Sequence, residues 1–230
     1  GFFLSHNIGP LWGGCAITDP DAFLTVFLIR KNFARAPRWF IYRRDELLAH
    51  ELCHAARMPL DDFRYEEHFA YQTASSRFRR YIGNCFQTKY DAVLFLLPIL
   101  VLLLAETMRT FGGYYYAIWP FWLASAAYPF YLFVRNQCQR NVFFRAKRAL
   151  TSTGCKHPDA VLFRCNTAEI TALARQRHQP EKLKEELRKM AEENLKWRVI
   201  TYRFWDDGPL MELNPIPAST EENVISCQSD

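Results

Sequence analysis

Two neighbouring apolar runs constrain this fold more than any other feature of the sequence. Ala92–Ala105 contains no charged residue and extends to Met108 across the single Glu106, which reaches the lower limit of roughly 17 residues for a spanning helix. After a turn pattern at Thr110–Gly113, Tyr114–Val134 adds 21 uncharged residues rich in Tyr, Trp and Phe. The pair predicts a two-helix transmembrane hairpin over residues 89–136. The alternative is a pair of core helices in a soluble protein.

Basic residues are concentrated at the outer ends of this predicted hairpin, whereas the turn region carries only Arg109. Positive charge beside spanning helices favours the cytoplasmic side, so the soluble parts on both sides are expected to face the cytoplasm. The flanking residues are Arg77, Arg79, Arg80 and Lys89 before the hairpin, and Arg135, Arg140, Arg145, Lys147 and Arg148 after it.

The region before the hairpin, residues 1–88, shows both strand and helix patterns. Continuous apolar residues predict strands at Ala22–Ile29 and Trp39–Tyr42. A helical pattern runs from Arg44 to Met58, where Pro59 stops it, and a second helix is expected from Asp61 or Asp62 to Ile82. The apolar cluster Phe2–Leu4 is too short for a signal peptide, and we expect an initiating segment before it.

Residues 137–207 predict a small cytoplasmic α/β segment. Strands are expected at Ala160–Cys165 and Arg198–Phe204, with one helix capped by Asn166 or Thr167 and another running from Pro180 to Trp197. Residues 208–230 are rich in Pro, Ser and acids and are expected to form a flexible tail. The whole chain is therefore assigned to the α+β class.

The chemistry-bearing motif is His50-Glu51-Leu52-Cys53-His54. Residues four apart lie on the same face of a helix, so both imidazoles can reach one ion. Glu51 lies about 100° round the helix from His50, beside that ion rather than on it. This is the position that a general base requires, because a bound zinc ion lowers the pKa of its water to ~7. Cys53 points to the opposite face.

The motif resembles the signature of the zincin metallopeptidases, and the resemblance implies a Zn²⁺ site with His50 and His54 as ligands and Glu51 as the general base. The metzincin pattern is excluded, because Arg57 stands at its glycine position and Leu60 at its third histidine. The gluzincin pattern takes its third ligand from a following helix. The candidates there are Glu66 and Glu67, with His68 as an outsider.

Helix geometry favours Glu67 as the third ligand. In an antiparallel pair turning near Pro59, His54 lies about six residues before the turn and Glu67 about seven after it, at matching heights. Glu67 also belongs to an apolar stripe, where a carboxylate needs a partner such as a metal. Glu66 remains the alternative. The stripe comprises Phe63, Glu67, Ala70, Ala74, Phe78 and Tyr81.

The run Glu67–Ala70 is similar to the Glu-x-x-Ala element of membrane-bound gluzincins related to the CAAX prenyl endopeptidase and the bacterial heat-shock peptidases. Tyr71 stands where those enzymes usually have aspartate, and their glutamate follows the second histidine at a much greater distance. The resemblance therefore implies the superfamily and not a substrate. Tyr65 and Tyr71 are candidates to donate a phenol to an oxyanion, but on so aromatic a chain packing or a membrane interface is the favoured role for each.

The remaining signals concern partners. Seven scattered cysteines indicate a reducing compartment, and the net charge of +5 is too dispersed to predict a nucleic-acid partner. Six basic residues interleave with aromatic ones between Arg30 and Arg44, a pattern that suits lipid headgroups or plain solvation beside a membrane hairpin. Cys155, His157 and Cys165 form a weak candidate for a second metal site.

These patterns predict a membrane-associated zinc metallopeptidase that hydrolyses peptide bonds of protein substrates, with membrane lipids as further partners. The alternative is a non-catalytic membrane adaptor in which the histidine motif is structural or fortuitous. An intramembrane protease is disfavoured, because Arg43, Arg44, Asp45 and Glu46 open the motif helix and charged residues are costly in lipid.

Overall fold

The computed structural model describes residues 13–19, 24–62, 64–88 and 90–205, and the side chains of Thr18 and Asp19 lie outside that description. The predicted initiating segment, Phe63 and the predicted tail also lie outside the described residues. Most of the described chain is helical, with two small antiparallel sheets of two strands each. The coarse α+β assignment is consistent with this architecture.

The strands are β1 (Gly14–Asp19), β2 (Leu24–Ile29), β3 (Arg38–Trp39) and β4 (Tyr42–Arg43). The helices are α1 (Arg44–Arg57), α2 (Glu66–Gln72), α3 (Arg77–Ile82), α4 (Asp91–Gly112), α5 (Trp119–Ser152), α6 (Pro158–Phe163), α7 (Thr167–Arg175), α8 (Pro180–Glu193) and α9 (Leu195–Phe204). Short 3₁₀ turns occupy Lys31–Ala34, Met58–Leu60 and Gly83–Cys85.

The first sheet pairs β1 with β2, in a register that runs from Gly14 opposite Ile29 to Asp19 opposite Leu24. The predicted strand ending at Ile29 is confirmed. The single strand predicted over Trp39–Tyr42 is wrong, because the chain reverses there and forms the β3–β4 hairpin. Phe40, at the turn, has a φ of 52°, a left-handed conformation that lets the chain fold back within two residues.

Helix α1 confirms the prediction from the motif region. Asp45 and Glu46 lie in its first turn, where their negative charge stabilises the positive end of the helix dipole. The helix gives way at Met58 to a 3₁₀ turn containing Pro59, which cannot donate a backbone hydrogen bond. Asp61 then adopts a left-handed conformation with a φ of 45° and turns the chain back.

The second predicted helix, from Asp61 or Asp62 to Ile82, is wrong as one continuous element, because it is divided into α2 and α3. Thr73 donates its hydroxyl hydrogen to the carbonyl of Ala70, and Ser76 caps the next helix by accepting from the Arg79 N–H. Such local side-chain bonds compete with helix continuation. The apolar stripe predicted along this helix is therefore interrupted as well: Ala70 and Ala74 are buried, but Phe78 is 70% exposed.

The C-terminal segment, residues 137–205, consists of helices joined by short turns, so both strands predicted there are wrong. Ala160–Cys165 lies largely in α6, where Pro158 occupies the first turn, and Arg198–Phe204 lies in α9, where Asn194 accepts a hydrogen bond from the Lys196 N–H. Several of their apolar residues, among them Val161, Ile200 and Phe204, pack into the core, and this tertiary packing overrides strand propensity.

Two helix starts in this segment are confirmed. Asn166 caps α7, and with Glu169 it forms a reciprocal capping box. Pro180 opens α8, but that helix ends at Glu193 instead of continuing to Trp197, which belongs to the next helix and is buried.

One apolar core joins the metal-motif region to the C-terminal helices. Tyr65 and Phe69 pack in the same cluster as Phe143 of α5 and Leu162 of α6. The segment around α2, which carries Tyr65 and Phe69, is therefore not stabilised by a separate small core. It is held by residues almost 80 positions further along the chain.

Arg57, the last residue of α1, is fully buried and bonds to both regions. Its guanidinium donates to the carbonyl of Phe163 and, at 3.3 Å, to that of Cys165. It also pairs with Asp62 at 3.8 Å and stacks on the Phe69 ring, 4.4 Å from the centroid. This contact set fixes the end of the motif helix against the C-terminal helices.

We expect Arg57→Met to lower the free energy of unfolding by about 3 kcal/mol, because two buried carbonyls and Asp62 lose their cationic partner. Denaturant unfolding of the purified protein measures the change. Arg175→Met, at an exposed position, is the matched control and should shift stability by less than about 0.5 kcal/mol. Equal losses in the two variants would contradict the anchoring role.

The predicted membrane hairpin corresponds to α4 and the first part of α5, which contact each other. Within the described residues, Tyr90–Gly112 is the helix that is long and apolar enough to cross a membrane. The predicted turn is wrong in part, because α4 continues through Gly112 and ends at Gly113, which has a φ of 67°. Helix α5 runs on beyond Val134 into the shared core.

A buried polar cluster lies at the base of these two helices. Asp91 is almost fully buried, accepts hydrogen bonds from the N–H groups of Gln87 and Thr88, and pairs with Arg135 of α5 at 2.6 Å. These contacts hold the start of one helix against the middle of the other.

Candidate metal centre

The two motif histidines meet on the inner face of α1. Their spacing of four places them one turn apart, and the two Nε2 atoms lie 3.3 Å from each other. The rings stand edge to face, with centroids 5.0 Å apart. Both side chains are mostly buried. The structure thus brings the two nitrogen lone pairs to one point, as the spacing predicts.

Glu67, in the first turn of α2, faces the same point. One of its carboxylate oxygens lies 3.7 Å from the His50 Nε2 and the other lies 3.6 Å from the His54 Nε2. Ligand atoms from the three residues all lie within 4.8 Å of one another.

Glu66 plays a different part. Its carboxylate accepts a hydrogen bond from the Nδ1 of His54 at 2.9 Å, on the side of the ring that faces away from Glu67. The backbone of Ala70 similarly accepts a hydrogen bond from His50. Partners of this kind fix the orientation of a histidine ring and leave the other nitrogen free for a metal. The two adjacent glutamates therefore occupy distinct positions in the cluster.

The geometry fits a zinc ion. Ligands about 2.0 to 2.1 Å from zinc, at the tetrahedral angle, are about 3.3 Å apart. The two histidine nitrogens are already at that separation, and the Glu67 oxygens are a few tenths of an ångström beyond it. Two imidazoles and one carboxylate form a donor set that catalytic zinc sites use, with a fourth position open.

The electrostatics of the cluster also suit a cation. Burial, and then the neighbouring His54, lower the pKa of His50 to about 4, which keeps its imidazole neutral at neutral pH. The hydrogen bond that His54 donates to the Glu66 carboxylate raises the pKa of His54. Burial raises the pKa of Glu67, and the nearby Glu51 and Glu66 carboxylates add to that shift. A divalent cation would offset this concentration of carboxylates.

Glu51 lies beside the cluster and is held by strand β1. Its Oε2 accepts a hydrogen bond from the backbone N–H of Ala16 at 2.9 Å. Burial raises the pKa of the Glu51 carboxyl, and the bond to Ala16 partly opposes the shift. A raised pKa suits a group that takes and returns a proton near neutral pH. The contribution of Ala16 has no signal in the sequence, because any residue provides a backbone N–H.

Among the described residues β1 pairs with β2 alone, and the bond to Glu51 shows that the other edge of β1, its free edge in this part of the chain, faces the site. The N–H of a residue in an antiparallel pair points either to the partner strand or away from it, and that of Ala16 points away from β2. Clefts of 250 and 210 Å³ lie on the two sides of Glu51, along this edge. The first is bordered by Ala16, His54 and Glu66, and the second by Gly14, His50 and Tyr71.

The two tyrosines proposed as phenol donors differ in position. Tyr65 is buried, and its hydroxyl donates to the carbonyl of Gln139 at 3.5 Å, inside the shared core and not at the site. Tyr71 lies at the site, with its ring centroid 4.7 Å from that of His50. Burial raises the pKa of Tyr71, so its phenol remains protonated.

Gly83 gives Tyr71 the space that it occupies. A Cβ atom at position 83 would lie 2.1 Å from the Cγ of that ring, a distance that no side chain tolerates. We expect Gly83→Ala to destabilise the protein by about 1 to 3 kcal/mol through this overlap. Thermal unfolding of Gly83→Ala, Tyr71→Ala and the double variant tests the cause. The penalty should largely disappear in the Tyr71→Ala background, and additive losses would contradict the overlap.

Among the described residues, His50, His54 and Glu67 are the potential metal ligands that converge. Cys155, His157 and Cys165 do not, and Cys165 instead donates its thiol hydrogen to the carbonyl of Val161. Cys53 remains a free thiol outside the converging group.

No protein-family model matches the chain, and comparisons with curated proteins and with solved structures likewise give no match. The geometry of the site is therefore the basis on which its function is inferred.

Proposed function

We propose that the chain is a membrane-anchored zinc metallopeptidase. The observation that carries the proposal is the convergence of His50, His54 and Glu67 at distances suited to one tetrahedral ion, with Glu51 beside them. A structural zinc site commonly has four protein ligands and needs no adjacent base. Three ligands with a neighbouring carboxylate favour catalysis over a purely structural role.

Each residue of the site has a separate role in the proposed reaction. His50, His54 and Glu67 would hold the zinc ion, while Glu66 and the Ala70 carbonyl orient the two rings. When bound, the ion supplies a Lewis acid that acidifies a water molecule and polarises a carbonyl group. Glu51 would accept the proton of the attacking water and return it to the leaving amine. Tyr71, whose ring lies beside that of His50, would donate its phenol to the developing oxyanion.

The free edge of β1 supports an extended peptide as the substrate. Such an edge offers backbone donors and acceptors that a second strand can pair with, and here the clefts run along it on either side of Glu51. A peptide paired with this edge would cross the metal centre. Backbone pairing carries no side-chain preference, so it supports peptide hydrolysis without naming a sequence.

The apolar helix over Tyr90–Gly112 supports anchoring in a membrane. We propose that α4 and the first part of α5 form the two-helix hairpin and that both soluble regions face the cytoplasm, as the flanking basic residues indicate. A protease added to the cytoplasmic side should then leave residues 110–113 intact. Cleavage there from that side would contradict the hairpin.

Metal analysis combined with proteolysis tests the enzymatic proposal. The purified full chain should contain one zinc ion per molecule, cleave an unstructured protein such as casein, lose activity with a chelator and regain it with zinc. His157→Ala, which alters a histidine outside the cluster, should behave as wild type. Absence of stoichiometric zinc from carefully prepared wild type would overturn the proposal.

A further inference from the structure

The β3–β4 hairpin, residues 38–43, which we call the arginine hairpin, combines exposed apolar and basic side chains. Phe40 and Ile41 form its two-residue turn and are 72% and 64% exposed. Positive φ is uncommon for a residue other than glycine, and Phe40 is held in that conformation with its ring in solvent. An exposed aromatic and aliphatic pair at a turn tip is typical of a surface that contacts something apolar.

Charge is concentrated around the same tip. The described segment from Leu24 to Arg44 contains six basic residues and no acidic one. Arg38 and Arg43 lie directly opposite each other in the ladder, so their side chains share one face, where like charges repel. Arg43 has a partly compensating contact with Glu46 at 3.5 Å, whereas no ion pair joins Arg38 to a carboxylate in the described part of the chain. An anionic partner would relieve this repulsion.

The opposite face of the arginine hairpin is directed to the metal centre. Trp39 and Tyr42 stack there with ring planes 3° apart, and Arg30 lies over the Trp39 ring at 4.0 Å. Tyr42 borders the same cleft as His50 and Glu51. The hairpin is thus fixed to the site on one face and presents arginines on the other.

We propose that the arginine hairpin docks on the anionic surface of a phospholipid bilayer, with Phe40 and Ile41 inserted at the interface and Arg38 and Arg43 on lipid phosphates. Apolar tips flanked by cations suit this boundary, because each basic residue near an anionic surface adds electrostatic attraction. Nucleic acid is less suited, because Trp39 and Tyr42 stack on each other on the opposite face and leave Phe40, beside the aliphatic Ile41, as the one exposed ring of the hairpin for stacking on bases. Docking would hold the cleft close to the membrane and favour membrane-proximal peptides.

This docking rests on the membrane anchoring proposed above but not on zinc, and photo-crosslinking can test the two separately. The full chain is reconstituted in phosphatidylcholine bilayers with or without phosphatidylglycerol, carrying p-benzoylphenylalanine in place of Phe40. The same label replaces Leu103, which is exposed on α4, or Tyr202, an equally exposed aromatic on α9. Phospholipid adducts are counted by mass spectrometry.

We expect adducts at position 103 in both bilayers, at position 40 mainly with phosphatidylglycerol, and few at position 202. Arg38→Gln with Arg43→Gln should lower the yield at position 40 about tenfold. Arg188→Gln with Lys189→Gln, which removes the same charge from α8, should not change it. Far-ultraviolet circular dichroism and thermal unfolding establish that each variant is folded.

Each other outcome overturns the docking. Adducts at position 103 with none at position 40 would contradict the docking of the arginine hairpin but not the membrane anchoring of α4. An absence of adducts at both positions would contradict both proposals. Equal yields at position 40 in the two bilayers would exclude recognition of anionic lipid. If the label at position 40 formed adducts with added RNA and none with lipid, the partner would be a nucleic acid instead.

Discussion

Glu51→Gln is expected to leave zinc bound and to lower kcat/KM for peptide hydrolysis by about 10² to 10⁴-fold, the usual contribution of a general base. Glutamine retains an oxygen that can accept the Ala16 hydrogen bond, so the position of the side chain is preserved. It cannot take a proton from water. The measurement is steady-state cleavage of a peptide substrate, with zinc content determined on the same sample.

Glu185→Gln is the matched control for this variant, because that carboxylate lies on the exposed face of α8 and contacts only surface cations. It should retain wild-type activity and zinc. A Glu51→Gln protein that cleaves peptides at the wild-type rate would remove Glu51 from the reaction. The adaptor alternative predicts no zinc-dependent cleavage in any variant.

Glu67→Gln should abolish tight zinc binding, because it removes the anionic ligand facing both Nε2 atoms. Glu66→Gln should weaken zinc binding only about 10 to 100-fold, the usual effect of altering a group that orients a histidine ligand. Competition with a chromophoric chelator measures both affinities. The two substitutions make the same chemical change at adjacent positions, so each controls for the other.

The reverse order of these effects would be informative. If Glu66→Gln lost zinc and Glu67→Gln kept it, the carboxylates would have exchanged roles and the alternative left open by the sequence would be correct. Equal, moderate losses would indicate that neither carboxylate binds the ion directly, which contradicts the three-ligand centre.

The sequence predicted the favoured ligand set, although part of its reasoning was wrong. Glu67 was favoured over Glu66 on one continuous second helix with an apolar stripe, whereas the structure begins that helix only at Glu66. Glu67 still reaches the histidines, because the turn after Pro59 returns the chain beside α1. The matching heights of His54 and Glu67 require only a turn near Pro59, and the structure has a turn at Met58–Leu60.

The strand predictions failed for a different reason. Val161, Leu162 and Phe163, like Val199 and Ile200, have strong strand propensity, but in a helix several of these side chains reach the buried core. Strand propensity largely reflects the fit of a side chain to its surroundings, and those surroundings come from other helices: α5 packs on α6, and α8 and α6 pack on α9. A local pattern cannot contain that information.

By itself, the sequence determined the features that depend on near neighbours. A spacing of four placed His50 and His54 on one face of a helix, and the uncharged run Ala92–Ala105, extended to Met108, predicted a span that lies within the helix Tyr90–Gly112. Only the tertiary structure decided which glutamate faces the imidazoles, which backbone group holds Glu51, and how Arg57 fixes the motif helix. Those contacts join residues 12 to 108 positions apart, and packing, not local periodicity, brings such residues together.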